Sequence, residues 1–182
     1  MNPNSCVVYR DGIGDSAFQD HAVSEIEGVR AGLSGNNVVG LQSHTPQRDV
    51  PMSYIVCQKR IDTKFLTAGV PNEKDGKYGA PPGTLIEDVQ GLHHETFYLN
   101  GRAPPTSTPK PARFVVLHDD LKQVNLKGLT HNLTHSYPNW AGPIKVPGVC
   151  QLAHKNAELV GGFMDCGEGL DANMHKNKLY YL

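Results

Sequence analysis

Apolar residues fall along this chain in short runs closed by glycine, proline or charge, the pattern of buried strands; helically spaced stretches lie between them. The first run, "CVVY" (6–9), stops against Arg10, Asp11 and Gly12. In "AFQDHAVSEIEGVRAGL" (17–33), Phe18, Val23, Ile26, Val29 and Leu33 return near helical spacing, which predicts an amphipathic helix. "SYIVCQK" (53–59), "TFYLN" (96–100) and "RFVVLHDD" (113–120) predict three further strands. "LKQVNLKGLTHNLTHSY" (121–137) predicts a second helix stopped near Pro138, and "GPIKVP" (142–147) an extended link. "CQLAHKNAELVGG" (150–162) predicts a third helix, with Leu152, Ala153, Ala157 and Val160 on its apolar face and glycines closing it. Alternation of strand and helix argues for an α/β architecture. The polar, turn-rich segment 67–84 reads as a long surface loop, and gives no reason to divide the chain.

Composition narrows the class without choosing a function. A chain of 182 residues, 38% hydrophobic and with a formal charge of −1, is an ordinary globular domain with room for one core. No overall basic excess announces a nucleic acid, so any such binding rests on a local patch. "MNPNSC" has neither a basic nor an apolar leader segment, and no window approaches the roughly eighteen apolar residues of a membrane span. Four scattered cysteines without a CxxC pair suit a reducing, intracellular setting, in which the sequon at Asn132 carries no weight.

Candidate chemistry is sparse when each residue is taken alone. Asp11 ends a strand and precedes glycine, the place where open α/β sheets present ligand-binding groups, and a carboxylate there suits Mg²⁺ or Mn²⁺. Asp–Gly is also a common turn dipeptide, and locally that reading is preferred. His154, among Leu152, Ala153 and Ala157, reads locally as a core histidine, although its imidazole could serve a metal or a proton. His131 and His135 stand four apart but lack the glutamate and third ligand of a zinc site, so they read as surface; His93, His94 and Glu95 precede a strand. Lys59, Arg60 and Lys64 follow a buried strand, and with Lys145, Tyr137 and Trp140 they would make a groove that tracks a phosphate backbone. No dinucleotide, P-loop or GxSxG motif is present.

The segments taken in order are far more specific. "VVYRDGIGD", "YIVCQKRIDTKF", "PPGTLIEDV", "YPNWAGPIKVPGVCQLAHKNAELVGG" and the terminal "LYYL" resemble the C-terminal part of the PIWI domain, in the Piwi branch of the Argonaute family. "NW.G" and "LYYL" set it apart from the Argonaute branch proper. The resemblance runs from Val7 to Leu182 and treats 1–182 as the C-terminal portion of one PIWI domain, with no N, PAZ or MID region. It implies an RNase H-like α/β fold, incomplete because the N-terminal strands of the sheet are missing. It also implies small-guide-RNA binding of the piRNA type in gene silencing. In such enzymes an Asp-Glu-Asp-His set holds two Mg²⁺ or Mn²⁺ ions that cut a target RNA.

Asp11 matches the second aspartate of that set and His154 its histidine, as catalytic and metal-binding residues; the first aspartate and the glutamate would lie upstream of "YRDG". RNA-contacting positions correspond to Lys59, Arg60, Lys64, Tyr137, Asn139, Lys145 and Gln151, with the terminal carboxylate of Leu182 near the guide's 5′ phosphate. Departures from the family pattern lie at "TSTPKPARF", at Pro138 and at Asn156, which stands where leucine is usual. An edge strand without its neighbour would leave "CVVY" unpaired on one side. The expectation is a fragment or degenerate copy that binds guide and target RNA without cutting alone. The alternatives are a metal-dependent endonuclease completed by upstream sequence, and a module that docks protein partners of the silencing machinery. The implied setting is intracellular, in cytoplasm or nucleus and in germline-type ribonucleoprotein granules, with no membrane.

Overall fold

β-Branched and aromatic residues alternate between two buried faces along Met52–Gln58, and this strand organises the sheet. The computed structural model describes residues 3–18, 22–34, 49–67, 79–87, 94–102 and 108–165. Its elements are β1 (Cys6–Asp11), a 3₁₀ turn (Asp15–Ala17), α1 (Val23–Leu33), β2 (Met52–Gln58), β3 (Leu85–Glu87), β4 (Glu95–Leu99), β5 (Ala112–Asp119), α2 (Leu126–Thr134) and α3 (Gly148–Asp165). The five strands lie in the order β1-β2-β5-β4-β3. β1 and β2 are parallel, with Asp11 opposite Cys57, and the remaining pairs are antiparallel. β1 is an edge: among the described residues it pairs with β2 alone, and all six of its residues are half-buried.

Two cores sandwich the sheet. On one face Ile55, Cys57, Phe97, Leu99 and Phe114 pack with Leu126 of α2, with Val146 of the link before α3, with Cys150 of α3, and with Val7 and Tyr9 at their margin. Phe97 and Phe114 stack with centroids 5.0 Å apart. On the other face Met52, Tyr54, Val56 and Val115 meet Ile13, Phe18 and Ala22, with Ile26, Val29 and Leu33 of α1 packed against them. Each fully buried side chain of this size contributes about 1.5–3 kcal/mol in transfer free energy.

All four strands expected from the sequence are present, and β3 is an addition. Only three residues long and exposed at Leu85 and Glu87, it has too few apolar positions to show a period. The helix boundaries differ more. α1 is α-helical from Val23, which is itself 53% exposed, and Phe18 and Ala22 before it are π-helical rather than α-helical. α2 is shorter at both ends: Asn125 caps its start, its Oδ1 accepting from the Gly128 N–H at 2.9 Å, and the helix stops at Thr134, before Pro138, with His135 as its C-cap. α3 begins earlier, at Gly148, where a Cβ would come within 2.9 Å of Ser136 Oγ and 3.1 Å of the Tyr137 amide nitrogen.

The inward face of α3 also departs from expectation. Leu152, Asn156, Leu159 and Val160 are half-buried, whereas Ala153 and Ala157 are exposed. Alanine has too little apolar area to decide which way a helix turns. The helix rests on β1 and α2.

Tyr9 joins β1 to α2. Thr130 Oγ1 donates its hydrogen to the Leu126 carbonyl at 2.6 Å, so the Tyr9 hydroxyl donates to Thr130 Oγ1 at 2.9 Å. Burial pushes the Tyr9 phenol up to about 12. On the other face Arg10 grips Glu25 of α1 at 2.8 and 3.1 Å, and the Tyr54 hydroxyl donates to the same carboxylate at 2.6 Å. Tyr9→Phe should lower unfolding stability by about 1 kcal/mol in a urea titration while leaving the Thr130–Leu126 bond in place. An unchanged midpoint would show that the hydroxyl does not hold β1 to α2.

Candidate functional site

Because β1 and β2 are parallel, their carboxyl ends open on the same edge of the sheet. Asp11 closes β1. Gly12 then turns the chain away at φ +86°, a conformation that costs little only for glycine, while its N–H stays bonded to the Cys57 carbonyl at 3.2 Å. Gln58 closes β2 and is followed by Lys59 and Arg60. A cavity of about 630 Å³ lies at these ends, lined by Asp11–Asp15, Gln58–Ile61, Arg113 and His154.

Two ion pairs organise its wall. Lys59 Nζ contacts Asp11 Oδ2 at 2.5 Å, with both side chains partly exposed. Arg113 Nη1 contacts Asp15 Oδ2 at 2.7 Å, and Gln58 Nε2 donates to Asp15 Oδ1 at 2.6 Å. The Arg113 bond first, and the Gln58 bond second, hold the Asp15 carboxyl below the usual carboxylate range. Asp11 Oδ1 is buried and has no hydrogen-bond partner among the described residues. Lys145 reaches in from the link before α3 and donates through Nζ to the Lys59 carbonyl oxygen. Burial first, then the charges of Lys110 and Lys59, lower the Lys145 pKa.

His154 lines the same cavity as Asp11, but it is not a core residue. Its side chain is 65% exposed and faces Glu158 Oε1, one helical turn on, at 3.3 Å. The small neighbours that suggested burial are themselves on the solvent side of α3. His135 is exposed and His131 half-buried, their rings in edge contact at 4.9 Å.

Among the expected RNA-contacting residues, Lys59 and Arg60 line the cavity and Lys145 touches it through Lys59. Lys64 is exposed on the segment after β2, near Asp62, which is paired with Lys110 at 2.9 Å. Tyr137 and Gln151 are half-buried and Asn139 exposed, all outside the cavity lining. Leu182 lies outside the described residues. Arg113, Asp15 and Gln58 were missed as site residues. The signal was Arg113 itself, a charge just ahead of the apolar run Phe114–Leu117, and β5 sets it opposite Gln58 in the ladder.

The donor set among the described residues does not fit a pair of divalent ions. Among the described residues no three His, Cys, Asp or Glu side chains converge as metal ligands. Asp11 is engaged by Lys59, Asp15 by Arg113, and His154 by Glu158. What the cavity offers instead is cationic: Arg60 has no carboxylate partner among the described residues, and Lys59 and Arg113 present ammonium and guanidinium groups beside it.

A five-stranded mixed sheet, with helices on both faces and an aspartate at the end of a parallel edge strand, is an RNase H-like arrangement, and the comparisons agree. The Piwi domain family matches residues 1–165. The chain is 33% identical to Piwi-like protein 1 of Danio rerio over 87% of its own length and 18% of that protein's. It is 30% identical to Protein piwi of Drosophila melanogaster over 99% of its own length and 20% of that protein's. It therefore spans about a fifth of the length of these curated relatives. Its fold superposes on the crystal structure of Drosophila Piwi with a TM-score of 0.71 at 29% identity, covering 99% of this chain and 23% of that one. Against Kluyveromyces polysporus Argonaute with a guide RNA the TM-score is 0.70 at 20% identity, over 99% of this chain and 23% of that one. The chain belongs to the Piwi domain family, in the Piwi branch, and has an RNase H-like α/β fold.

The Asp15 pair makes stability depend on acidity. Its folded pKa lies below its unfolded one, so its contribution is present above about pH 4 and is lost as pH falls through the lowered value. At 60% exposure of the Asp15 side chain, the contribution stays under about 1 kcal/mol. Asp15→Asn should flatten the fall in melting temperature below about pH 4 relative to wild type. Parallel curves would exclude the pair as a source of acid sensitivity.

Proposed function

We propose that this chain binds single-stranded small RNA of the piRNA type, and its target, through the cationic cavity at the carboxyl ends of β1 and β2, and that it does not cut RNA by itself. The observation carrying the reading is the convergence of Lys59, Arg60 and Arg113 on one 630 Å³ cavity. It lies in a fold that superposes on an Argonaute solved with a guide RNA.

A phosphate backbone carries evenly spaced oxygens that guanidinium and ammonium groups bind by charge-assisted hydrogen bonds. Arg60, with no carboxylate partner among the described residues, can do so at once. Lys145, attached to the Lys59 peptide, sets the position of the strand end from which Lys59 and Arg60 project. Lys64, Tyr137, Asn139 and Gln151 would extend contact along the strand beyond the cavity, Tyr137 by stacking. Trp140, half-exposed with the Arg102 guanidinium 4.7 Å over its ring, offers another stacking surface. Silencing ribonucleoproteins of the germline type are the setting this reading implies.

No cleavage step is assigned. In-line displacement at a phosphodiester has one attacking and one leaving oxygen to stabilise, the task that a pair of metal ions performs in two-metal sites. Asp11 and His154 supply two of the four ligands that the family resemblance calls for, and both are engaged by neighbouring side chains.

Fluorescence anisotropy with a labelled single-stranded RNA tests the reading. Affinity should fall as salt rises from roughly 50 to 200 mM, and Arg60→Ala should weaken binding and reduce the log–log salt slope by about 0.7. Binding that ignores salt, or its absence, would overturn RNA recognition. Incubation with Mg²⁺ and guide-matched RNA should give no product. Turnover that Asp11→Ala abolishes would overturn the non-cleaving assignment.

A further inference from the structure

The Asp11 carboxylate has two oxygens, and only one of them can meet an ion arriving from the cavity. Oδ1 is buried with no hydrogen-bond partner among the described residues. Oδ2 faces the Lys59 ammonium at 2.5 Å. Lys59 is anchored there from both ends. Its peptide follows directly on β2, whose Cys57 lies opposite Asp11 in the ladder, and its carbonyl accepts from Lys145 Nζ. The other acid on this wall cannot relieve the competition, because Asp15 is tied to Arg113 and Gln58. His154 is turned toward Glu158.

We infer that Lys59 is the resident cation of Asp11: its ammonium takes the carboxylate face that a divalent ion would need, so that metal and lysine compete for one oxygen. The physical basis is charge competition. The ammonium takes one of the two lone pairs of Oδ2, neutralises the carboxylate, and sets a positive charge beside any divalent ion that would bind the same oxygen. The two repel. Displacing Lys59 means returning its ammonium to water, and the converse holds for lysine returning once an ion leaves. This goes beyond RNA binding, and its test contains no RNA, so the outcome is independent of whether the cavity holds a nucleic acid.

The experiment is a Mn²⁺ titration of the full chain followed by electron paramagnetic resonance, which reports free Mn²⁺ directly. Wild type is compared with Lys59→Met, Lys59→Gln, and each of these combined with Asp11→Asn. Both single variants should bind Mn²⁺ about fivefold or more tightly than wild type, the scale of a released, partly exposed ion pair, and Asp11→Asn should erase the gain. Two Lys59 variants are used so that a folding defect in one, visible as a lowered melting temperature, leaves the comparison intact in the other. Equal Mn²⁺ affinity in wild type and the Lys59 variants would overturn the inference. A gain that survives Asp11→Asn would overturn it too.

Discussion

The parallel pairing of β1 with β2 is the constraint on which the site depends. Set Asp11 opposite Cys57, and the residues leaving β2 two positions later must pass the carboxylate that ends β1. A shift of one residue would exchange the faces of β1, taking Val7 and Tyr9 from the α2–α3 core and moving Asp11 away from Lys59. Tyr9 and Arg10 resist that shift from opposite sides, one bonded toward α2 and the other toward α1. The same alternation that builds two cores therefore sets the chemistry at the strand ends. Packing and site are one arrangement seen from two directions.

Much of this was legible in the order of residues, for reasons that differ by element. β2 and β5 are buried on both faces, so their apolar runs stand out whatever the register. β3 was not legible: three residues at the sheet margin leave no periodic trace. α2 was overextended because its capping residue, Asn125, lies inside the periodic stretch and reads as one more polar position. For α3 the alanines misled, since they suit either side of a helix, while Leu152, Leu159 and half-buried Asn156 mark its inner side.

The site divides in the same way. Asp11, Lys59 and Arg60 adjoin strand ends, where the backbone dictates direction, and a strand pattern places them well. His154 required knowing how α3 is rotated, and the local reading put it inside when it stands in solvent beside Glu158. Arg113 and Asp15 lie 98 positions apart, and only the β2–β5 ladder makes them neighbours. Pairings of that range are invisible to local pattern. They are also what turns a wall of separate charges into one with a single uncompensated arginine among the described residues.

The position of β1 at the sheet margin has a dynamic consequence. Among the described residues β1 is bonded on one side only, so alternate amides face outward and contribute nothing to cohesion, and it has less to lose by separating than β2 or β5, which are bonded on both sides. Its release would carry Asp11 away from Lys59, unseat Tyr9 from Thr130 and loosen the support beneath α3 together. Protection of backbone amides against exchange should thus rank β1 below β2 and β5. The wall of the cavity thus rests on the same ladder bonds that hold β1 to β2.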